Sequence, residues 1–253
     1  MQILTALDQH TGCVLSETVI ASDTNEAKTA VEFLKTLVLE GKTVVGDAGF
    51  CQRDICETNL SGHVGYLILV KDNQPTLHKE AIQAFVIPEG FSPYAKRKAR
   101  EARRTATTIE KSHGGIERRT LTTTTVGTDT CDWPGLRQFL KLERETTVKG
   151  ETKTTVAYAI TSRSVASSTA EQVLALWRDR WGIENRLFWV KDVTLREDQG
   201  RIRSGRAAFV MSIIRNATIN YIRSSGNECI AAALRSNVLR IPALLTRLGI
   251  LIQ

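Results

Sequence analysis

The 253-residue sequence lacks the features that mark several specialised classes of protein. It has no run of about 18 apolar residues, so we expect no membrane-spanning helix. It begins with no charged and then apolar leader, so we expect no signal peptide and place the protein in the cytoplasm. Internal repeats and low-complexity linkers are also absent, which favours a single domain with an insertion over a string of modules.

Close pairing is absent among the five cysteines. An odd number of unpaired cysteines is typical of reduced thiols in a cytosolic protein. Cys51 and Cys56, with His63 nearby, could suggest a zinc site, but their spacing is not that of a zinc ribbon or finger. Small buried side chains are the better interpretation of these two residues.

Acidic residues are fewer than basic ones. The chain has 34 Lys and Arg against 27 Asp and Glu, which gives a net charge of +7 and a pI of about 9.3. The hydrophobic share of 42% and the charged share of 24% are those of an ordinary soluble globular protein. The positive charge favours a polyanionic partner, although it indicates nothing about the fold.

The first third of the chain alternates between β-prone and helical patterns. Two buried strands are expected to end in polar groups, the first at Asp47 and the second at Lys71. Ligands gather at such strand ends in α/β sheets. The expected elements are a hairpin (Met1–Leu7 and Cys13–Ile20), a helix capped by Asp23 or Thr24 (Glu26–Leu39), a strand (Thr43–Asp47), a helix (Gln52–Leu60), a strand (Tyr66–Val70) and a helix opened by proline (Pro75–Phe85).

The middle of the chain is basic and rich in threonine. Nine basic residues lie between Lys96 and Arg119, against three acidic ones. Such a cluster is either a solvated charged loop or a phosphate-contacting surface, and the β-prone surroundings favour the second. The β-prone stretches are Thr105–Ile109 and Ile116–Val126, followed by a hairpin around Lys149-Gly150 formed by Phe139–Thr147 and Thr154–Ser162.

A helix capped by Thr169 is expected to continue through Trp177–Lys191. Leu176, Ile183, Leu187 and Val190 would form its apolar stripe. Further helices are expected over Ala207–Arg223, Glu228–Arg235 and Pro242–Leu248.

Three charged residues of the Trp177–Lys191 stretch have helical spacing. Arg180, Glu184 and Lys191 stand four and seven residues apart, so a helix would project them from nearby points. Two interpretations fit this spacing. It could be an exposed ladder of ion pairs, or a metal-binding carboxylate flanked by groups that hold phosphate.

Five motifs, in this order, resemble the DDE transposases of bacterial insertion sequences. Together with Trp177, the last two have the spacing of one branch of that family, Tyr, two residues, Arg, three residues, Glu, six residues, Lys, with Trp177 in place of Tyr. The resemblance extends from about residue 2 to residue 225. The motifs are Val-Gly-Asp47-Ala-Gly-Phe-Cys-Gln, Lys71-Asp-Asn-Gln-Pro, His113-Gly-Gly-Ile-Glu-Arg, Arg180-Trp-Gly-Ile-Glu184-Asn and Trp189-Val-Lys-Asp-Val-Thr-Leu-Arg-Glu-Asp.

This resemblance implies a ribonuclease H-like fold, an α/β mixed sheet flanked by helices with a mainly β, basic insertion. It would divide the chain into the first part of the catalytic core (1–87), the insertion (88–165) and the helical last part of the core (166–253). It also implies DNA strand cleavage and joining by phosphoryl transfer. Asp47 and Glu184 would be the second and third catalytic carboxylates, which hold two magnesium or manganese ions.

The resemblance further implies DNA as the partner, both transposon ends and target DNA, and a homo-oligomer in a synaptic complex near the bacterial nucleoid, with no membrane. Arg180 and Lys191 would contact phosphates beside the scissile bond. Trp177 would either stack on a base or pack the helix, and packing is favoured. The other expected DNA contacts are Lys71, Arg97, Lys98, Arg103, Arg104 and Arg118.

The sequence departs from the family pattern at its start. The family's first catalytic aspartate lies on a strand before the hairpin, and Asp8 is no substitute because it falls in the predicted turn. We therefore expect an N-terminally truncated transposase with an incomplete two-ion site, inactive by itself, and marginally stable or self-associating because a strand is missing. The alternatives are an inert DNA-binding fragment and, more remotely, an unrelated metal nuclease.

Overall fold

The computed structural model describes residues 2–86, 92–112, 115–202 and 205–239, and the single positions 241, 245, 246 and 249. The chain divides into two compact units. We call Met1–Ser22 with Trp181–Gln253 the terminal unit, and Asp23–Arg180 the central unit.

Strands and helices alternate in the first part of the chain, whereas later four strands follow one another and helices come after them. The strands are β1 (Gln2–Leu7), β2 (Val14–Ile20), β3 (Thr43–Gly46), β4 (Gly65–Val70), β5 (Arg103–Ser112), β6 (Gly115–Thr124), β7 (Gln138–Val148) and β8 (Glu151–Thr161). The α-helices are α1 (Glu26–Lys35), α2 (Arg53–Ser61), α3 (Pro75–Gln83), α4 (Pro93–Glu101), α5 (Ala170–Asp179), α6 (Gly205–Ser224) and α7 (Ile230–Leu239).

A six-stranded mixed sheet forms the centre of the central unit. Its strand order is β3-β4-β8-β7-β6-β5. β3 and β4 are parallel, and all other neighbours are antiparallel. Because β8 pairs with β4, the strands predicted as an insertion continue the same sheet as the first part of the chain.

Helices cover both faces of this sheet. Side chains alternate between the faces along a strand, and Leu67 and Leu69 of β4 belong to one buried cluster with Val173 and Trp177 of α5. Helices α2 and α3 also contact β4, but their buried side chains are not members of that cluster, so they cover the other face. The predicted mixed sheet flanked by helices is confirmed.

Local signals account for several of these elements. Pro75 occupies the start of α3, where its missing N–H costs nothing. Thr169 caps α5 through a reciprocal pair of hydrogen bonds with Gln172. Lys149 and Gly150 both have positive φ, 51° and 86°, as the tight turn of the β7–β8 hairpin requires.

The terminal unit contains the β1–β2 hairpin, π-helical turns over Ile183–Phe188 and Val190–Thr194, and helices α6 and α7. The hairpin forms a two-stranded sheet of its own. Asp8 lies in its turn and accepts hydrogen bonds from the His10 N–H and the Thr11 hydroxyl. The unit has its own buried apolar cluster, formed by Val14, Leu187, Val190, Ile219, Ile222, Ile230 and Ala233.

Several predicted boundaries were wrong. Asn25, rather than Asp23 or Thr24, caps α1, because its side chain accepts a hydrogen bond from the Lys28 N–H at 2.9 Å. The helix ends at Lys35 instead of Leu39. Helix α4 was not predicted at all, and α7 starts and ends later than expected. The helix predicted over Pro242–Leu248 falls largely outside the described residues.

β3 differs from the prediction in its burial. It was expected to be a buried strand, but its first three residues are only half-buried. The reason is its position, because within the described residues β3 has a strand neighbour on one side only, β4.

The continuous helix predicted across Trp177–Lys191 was wrong. Helix α5 ends at Asp179, and π-helical turns follow from Ile183. The predicted apolar stripe serves two separate cores, since Leu176 packs on the central cluster whereas Leu187 and Val190 pack in the terminal one. A π turn is wider than an α turn, so the four- and seven-residue spacing no longer aligns side chains.

Among the described residues, the helices are all too short or too polar to cross a membrane.

Candidate active site

Asp47 directly follows β3 and begins a 3₁₀ turn, Ala48–Phe50. Its Oδ1 accepts a hydrogen bond from the Ala48 N–H at 2.8 Å, which satisfies one of the amide groups that the start of a helical turn leaves unpaired. The side chain is 52% exposed. The turn therefore fixes a carboxylate that is open to solvent at the carboxyl end of a parallel strand.

Two cations approach this carboxylate within the central unit. Arg180 NH1 lies 3.5 Å and Lys71 Nζ 3.9 Å from Asp47 Oδ1. The Arg180 side chain is 15% exposed and that of Lys71 63% exposed. These distances are at or beyond the limit of a hydrogen bond, so the attraction is mainly electrostatic, and water screens it at Lys71. The structure brings these three predicted site residues together.

Two amide side chains hold the turn that presents Asp47. Asn73 Nδ2 donates to the Ala48 carbonyl at 2.7 Å, and Gln74 Nε2 donates to the Cys51 carbonyl at 2.9 Å. Both residues belong to the Lys71-Asp-Asn-Gln-Pro motif, but the sequence alone did not predict this role for them. Their position immediately after a buried strand was the available signal, because the loops after neighbouring parallel strands lie side by side.

The end of α5 places Arg180. Trp177, one turn earlier, is 1% exposed and belongs to the central apolar cluster. A base-stacking role would require its indole to leave this core, so packing is its role in this structure. Arg178 NH2 lies 2.5 Å from Glu110 Oε1 on β5, and this ion pair holds the same helix end to the sheet.

An ion-pair network extends from Glu110 across three strands. Arg119 contacts Glu110 Oε2 at 3.1 Å and Glu117 Oε1 at 2.6 Å. Arg144 makes a two-point contact with the Glu117 carboxylate. The hydrogen bond from Arg144, together with the charges of the neighbouring guanidiniums, holds the pKa of Glu117 below its usual value despite burial.

The remaining two residues of the predicted signature, Glu184 and Lys191, belong to the terminal unit. Glu184 is exposed on the first π turn. Lys191 is buried, and its Nζ lies 3.3 Å from Glu197 Oε2. The two side chains therefore do not share one exposed helical surface, which corrects the expectation from α-helical spacing.

The basic residues of the middle region make contacts within the chain. Arg97 pairs with Glu101 at 3.6 Å on α4. Arg103 donates to the Phe85 carbonyl at 2.6 Å, and Arg104 donates to the Glu101 carbonyl at 2.6 Å. Backbone carbonyls leave the charge of a guanidinium uncompensated, so Arg103 and Arg104 keep their attraction for an anion.

Arg118 lies on β6 and its NH1 is 4.0 Å from Glu145 Oε2, with both side chains about half exposed. The side chain of Lys98 and the whole of His113 lie outside the described residues.

The sequence model of a family described as "Transposase DDE domain" matches residues 1–221. The chain belongs to this DDE transposase family. "Putative protein YbfL" and "H repeat-associated putative transposase YhhI", both of Escherichia coli (strain K12), are each 30% identical to it over 243 residues, 93% of this chain and 61% of theirs. "Putative transposase YncI" of Escherichia coli O157:H7 is 30% identical over 230 residues, 88% of this chain and 56% of its own. The chain thus spans about three-fifths of the length of these relatives.

DDE transposases generally use divalent metal ions. Asp47 suits one ligand position, because it offers a half-exposed, hard oxygen. The part of the chain that the structure describes contains no group of three or more His, Cys, Asp or Glu side chains that could hold a metal ion. Asp47 and Glu184 moreover belong to different units. No catalytic step through a metal ion follows from the geometry of the described residues.

Cys51 and Cys56, considered above for zinc, are completely buried beside the Asp47 turn. Burial raises the pKa of each thiol to about 12. Both side chains lie in the interior, which is the interpretation that the sequence favoured.

Proposed function

We propose that this chain is the catalytic domain of a DNA transposase, which cleaves and joins DNA strands at insertion-sequence ends by phosphoryl transfer. The observation that carries the proposal is the placement of Asp47, at the end of a parallel strand, between Arg180 and Lys71. Membership of the DDE transposase family supports it.

Arg180 and Lys71 would hold the phosphate that undergoes attack. Both cations already lie within 4 Å of a carboxylate, so the same positions can receive another oxyanion. The planar fork of Arg180 is suited to two-point contact with phosphate, whereas Lys71 contributes a point charge on a flexible, exposed stem.

Asp47 and Glu184 would be ligands of magnesium or manganese, which prefer hard oxygen ligands and bind few protein groups. Such ions, when bound, activate a water or a 3′-hydroxyl and stabilise the leaving oxygen. The turn held by Asn73 and Gln74 keeps the Asp47 carboxylate in place before DNA or metal arrives.

The partner would be DNA, both the transposon ends and the target, with at least two copies of the protein in a synaptic complex. Arg103, Arg104 and Arg118 are candidates for contacts with the DNA backbone outside the site, because their intrachain partners are carbonyls or a distant carboxylate.

The test is nicking of supercoiled plasmid with magnesium or manganese by the parent chain and by Asp47→Ala and Glu184→Ala. Asp72→Ala is the matched control, since it removes a carboxylate from the neighbouring loop whose partner among the described residues is His78. Nicking by the parent and the control, but by neither of the other variants, is the expected result. Nicking that survives in Asp47→Ala would refute the assigned role of Asp47.

A second function, DNA binding without strand cleavage, is favoured by the lack of any cluster of three metal-binding side chains among the described residues. This function predicts no nicking, but a gel shift that weakens steeply with salt. In that case Glu184→Ala should bind DNA as well as the parent does.

A further inference from the structure

Among the residues that the structure describes, Lys191 is the buried cation of the terminal unit. Its side chain is 5% exposed. The Nζ donates a hydrogen bond to Ser212 Oγ at 2.7 Å and lies 3.3 Å from Glu197 Oε2. A buried ammonium is stable only when it is paired and hydrogen-bonded, and these two contacts meet that requirement within the protein.

Ser212 relays this contact to the hairpin. Its hydroxyl donates to Glu17 Oε2 on β2 at 3.0 Å, and Asn216, one turn further along α6, donates to the same oxygen at 2.6 Å. Ser212 and Asn216 are both buried. The hairpin, the second π turn and α6 therefore meet at one polar network.

A second ion pair belongs to this network. Arg215 on α6 lies 3.1 Å from Glu197 Oε1, so the cations Lys191 and Arg215 face the carboxylates Glu17 and Glu197. Glu17 Oε1 and Asn216 Oδ1 are buried without a hydrogen-bond partner in the described residues. Without Lys191, the buried oxygen acceptors of this network would lose their ammonium donor.

We propose that Lys191 is an internal tether, which fastens the second π turn to α6 and to the β1–β2 hairpin, and is not a contact to DNA phosphate. A phosphate contact needs an ammonium that can reach solvent. Here it points inward, to one partner on α6 and one at Glu197, and Ser212 extends the contact to the hairpin.

This inference deepens the proposed function and rests on it, because the π-helical stretch that Lys191 fastens also presents Glu184. Leu187 and Val190 bury the inner side of this stretch, and Glu184 stands exposed on it. Lys191 therefore fastens the stretch that carries Glu184.

The first experiment compares Lys191→Met with Lys71→Met, in the whole chain, by hydrogen exchange. Methionine keeps the length of the side chain and removes its charge. In Lys191→Met, amide protection in β1, β2 and α6 should fall at least tenfold. It should stay at the parent level in Lys71→Met, because Lys71 is exposed and in the central unit. In the parent, a buried and hydrogen-bonded Lys191 ammonium should also give a slowly exchanging NMR signal that Glu197→Gln and Ser212→Ala shift.

The second experiment measures DNA binding as a function of salt. A lost phosphate contact lowers the slope of log K against log salt by about 0.9. We expect that decrease for Lys71→Met and none for Lys191→Met. The tether would be overturned if Lys191→Met lowers the slope while protection of β1 and β2 stays at the parent level, and the parent gives no slowly exchanging ammonium signal.

Two further outcomes remain decisive. If Lys191→Met does not fold, Ser212→Ala keeps the lysine and removes only its relay, so reduced protection of β1 and β2 supports the tether and unchanged protection refutes it. If the parent does not bind DNA at all, the proposed function fails, while hydrogen exchange still decides the role of Lys191.

Discussion

The side chain of Asn220 on α6 takes the place of a neighbouring strand for Val14 on β2. Its Oδ1 accepts a hydrogen bond from the Val14 N–H at 2.8 Å, and its Nδ2 donates to the Val14 carbonyl at 2.8 Å. Val14 is buried, and a buried backbone group needs a partner. One amide thus satisfies both backbone groups of a strand residue.

Asn220→Ala should therefore destabilise the terminal unit, by about 1–3 kcal/mol, because it leaves both groups of Val14 unpaired. Thr218→Ala is the control on the same helix, since its hydroxyl bonds only to the Ile214 carbonyl of α6. The measurement is chemical denaturation followed by hydrogen exchange at β2. Equal losses in the two variants would argue against the strand-like role of Asn220.

Gly12→Ala should be more harmful than Gly150→Ala. Both glycines have positive φ, 71° and 86°, so each alanine variant carries backbone strain of about 1–2 kcal/mol. A Cβ at Gly12 would also lie 3.3 Å from the Arg223 guanidinium, whereas a Cβ at Gly150 would meet nothing within 4 Å. Denaturation midpoints of the two variants check this. A smaller loss for Gly12→Ala would mean that Arg223 moves aside freely.

The Glu117 network should make stability depend on pH. Because the pKa of Glu117 is lower in the folded state than its ordinary value of 4.5, its contribution is present above about pH 4.5 and disappears as the pH falls through the folded-state pKa. Glu117→Gln leaves two guanidiniums without their shared carboxylate and should cost roughly 3 kcal/mol at pH 7.

The check is the difference in unfolding free energy between the parent and Glu117→Gln, measured at neutral and at strongly acidic pH. This difference should shrink in acid. Glu145→Gln is the control, because its pairing with Arg118 is exposed and such pairs contribute at most about 1 kcal/mol. A difference that does not change with pH would contradict the assignment to ionised Glu117.

Asn73→Ala should loosen the turn that presents Asp47. The variant removes the hydrogen bond to the Ala48 carbonyl, worth about 1 kcal/mol, and hydrogen exchange over Phe50–Cys51 should accelerate. Asp72→Asn is the neighbouring control, since the side chain of Asp72 pairs with His78 and not with the turn in the part of the chain that the structure describes. Unchanged exchange in Asn73→Ala would show that Gln74 holds the turn alone.

Much of this fold could be predicted from local signals. Pro75 at a helix start, Thr169 as a cap and Lys149-Gly150 at a turn each fix the backbone by their own chemistry. The position of Asp47 at a strand end could also be predicted, because a short apolar run directly precedes it in the sequence.

The parts that could not be predicted depend on partners distant in sequence. Nothing within residues 176–191 reveals that the apolar positions pack into two different cores, or that Lys191 meets Ser212 and Glu197 instead of solvent. The α-helical spacing was a correct observation, but tertiary packing replaced the α-helix with π turns.

The pairing of β8 with β4 has a consequence for how the protein folds. Ile68 is the register partner of Ile160, so the hydrogen bonds that complete β4 must wait until β8 has left the ribosome. Until then one side of an almost wholly apolar strand is unpaired, and such edges recruit other chains. Pairings so distant in sequence also close slowly. Slow folding and a need for protection during synthesis are therefore built into the order of the strands.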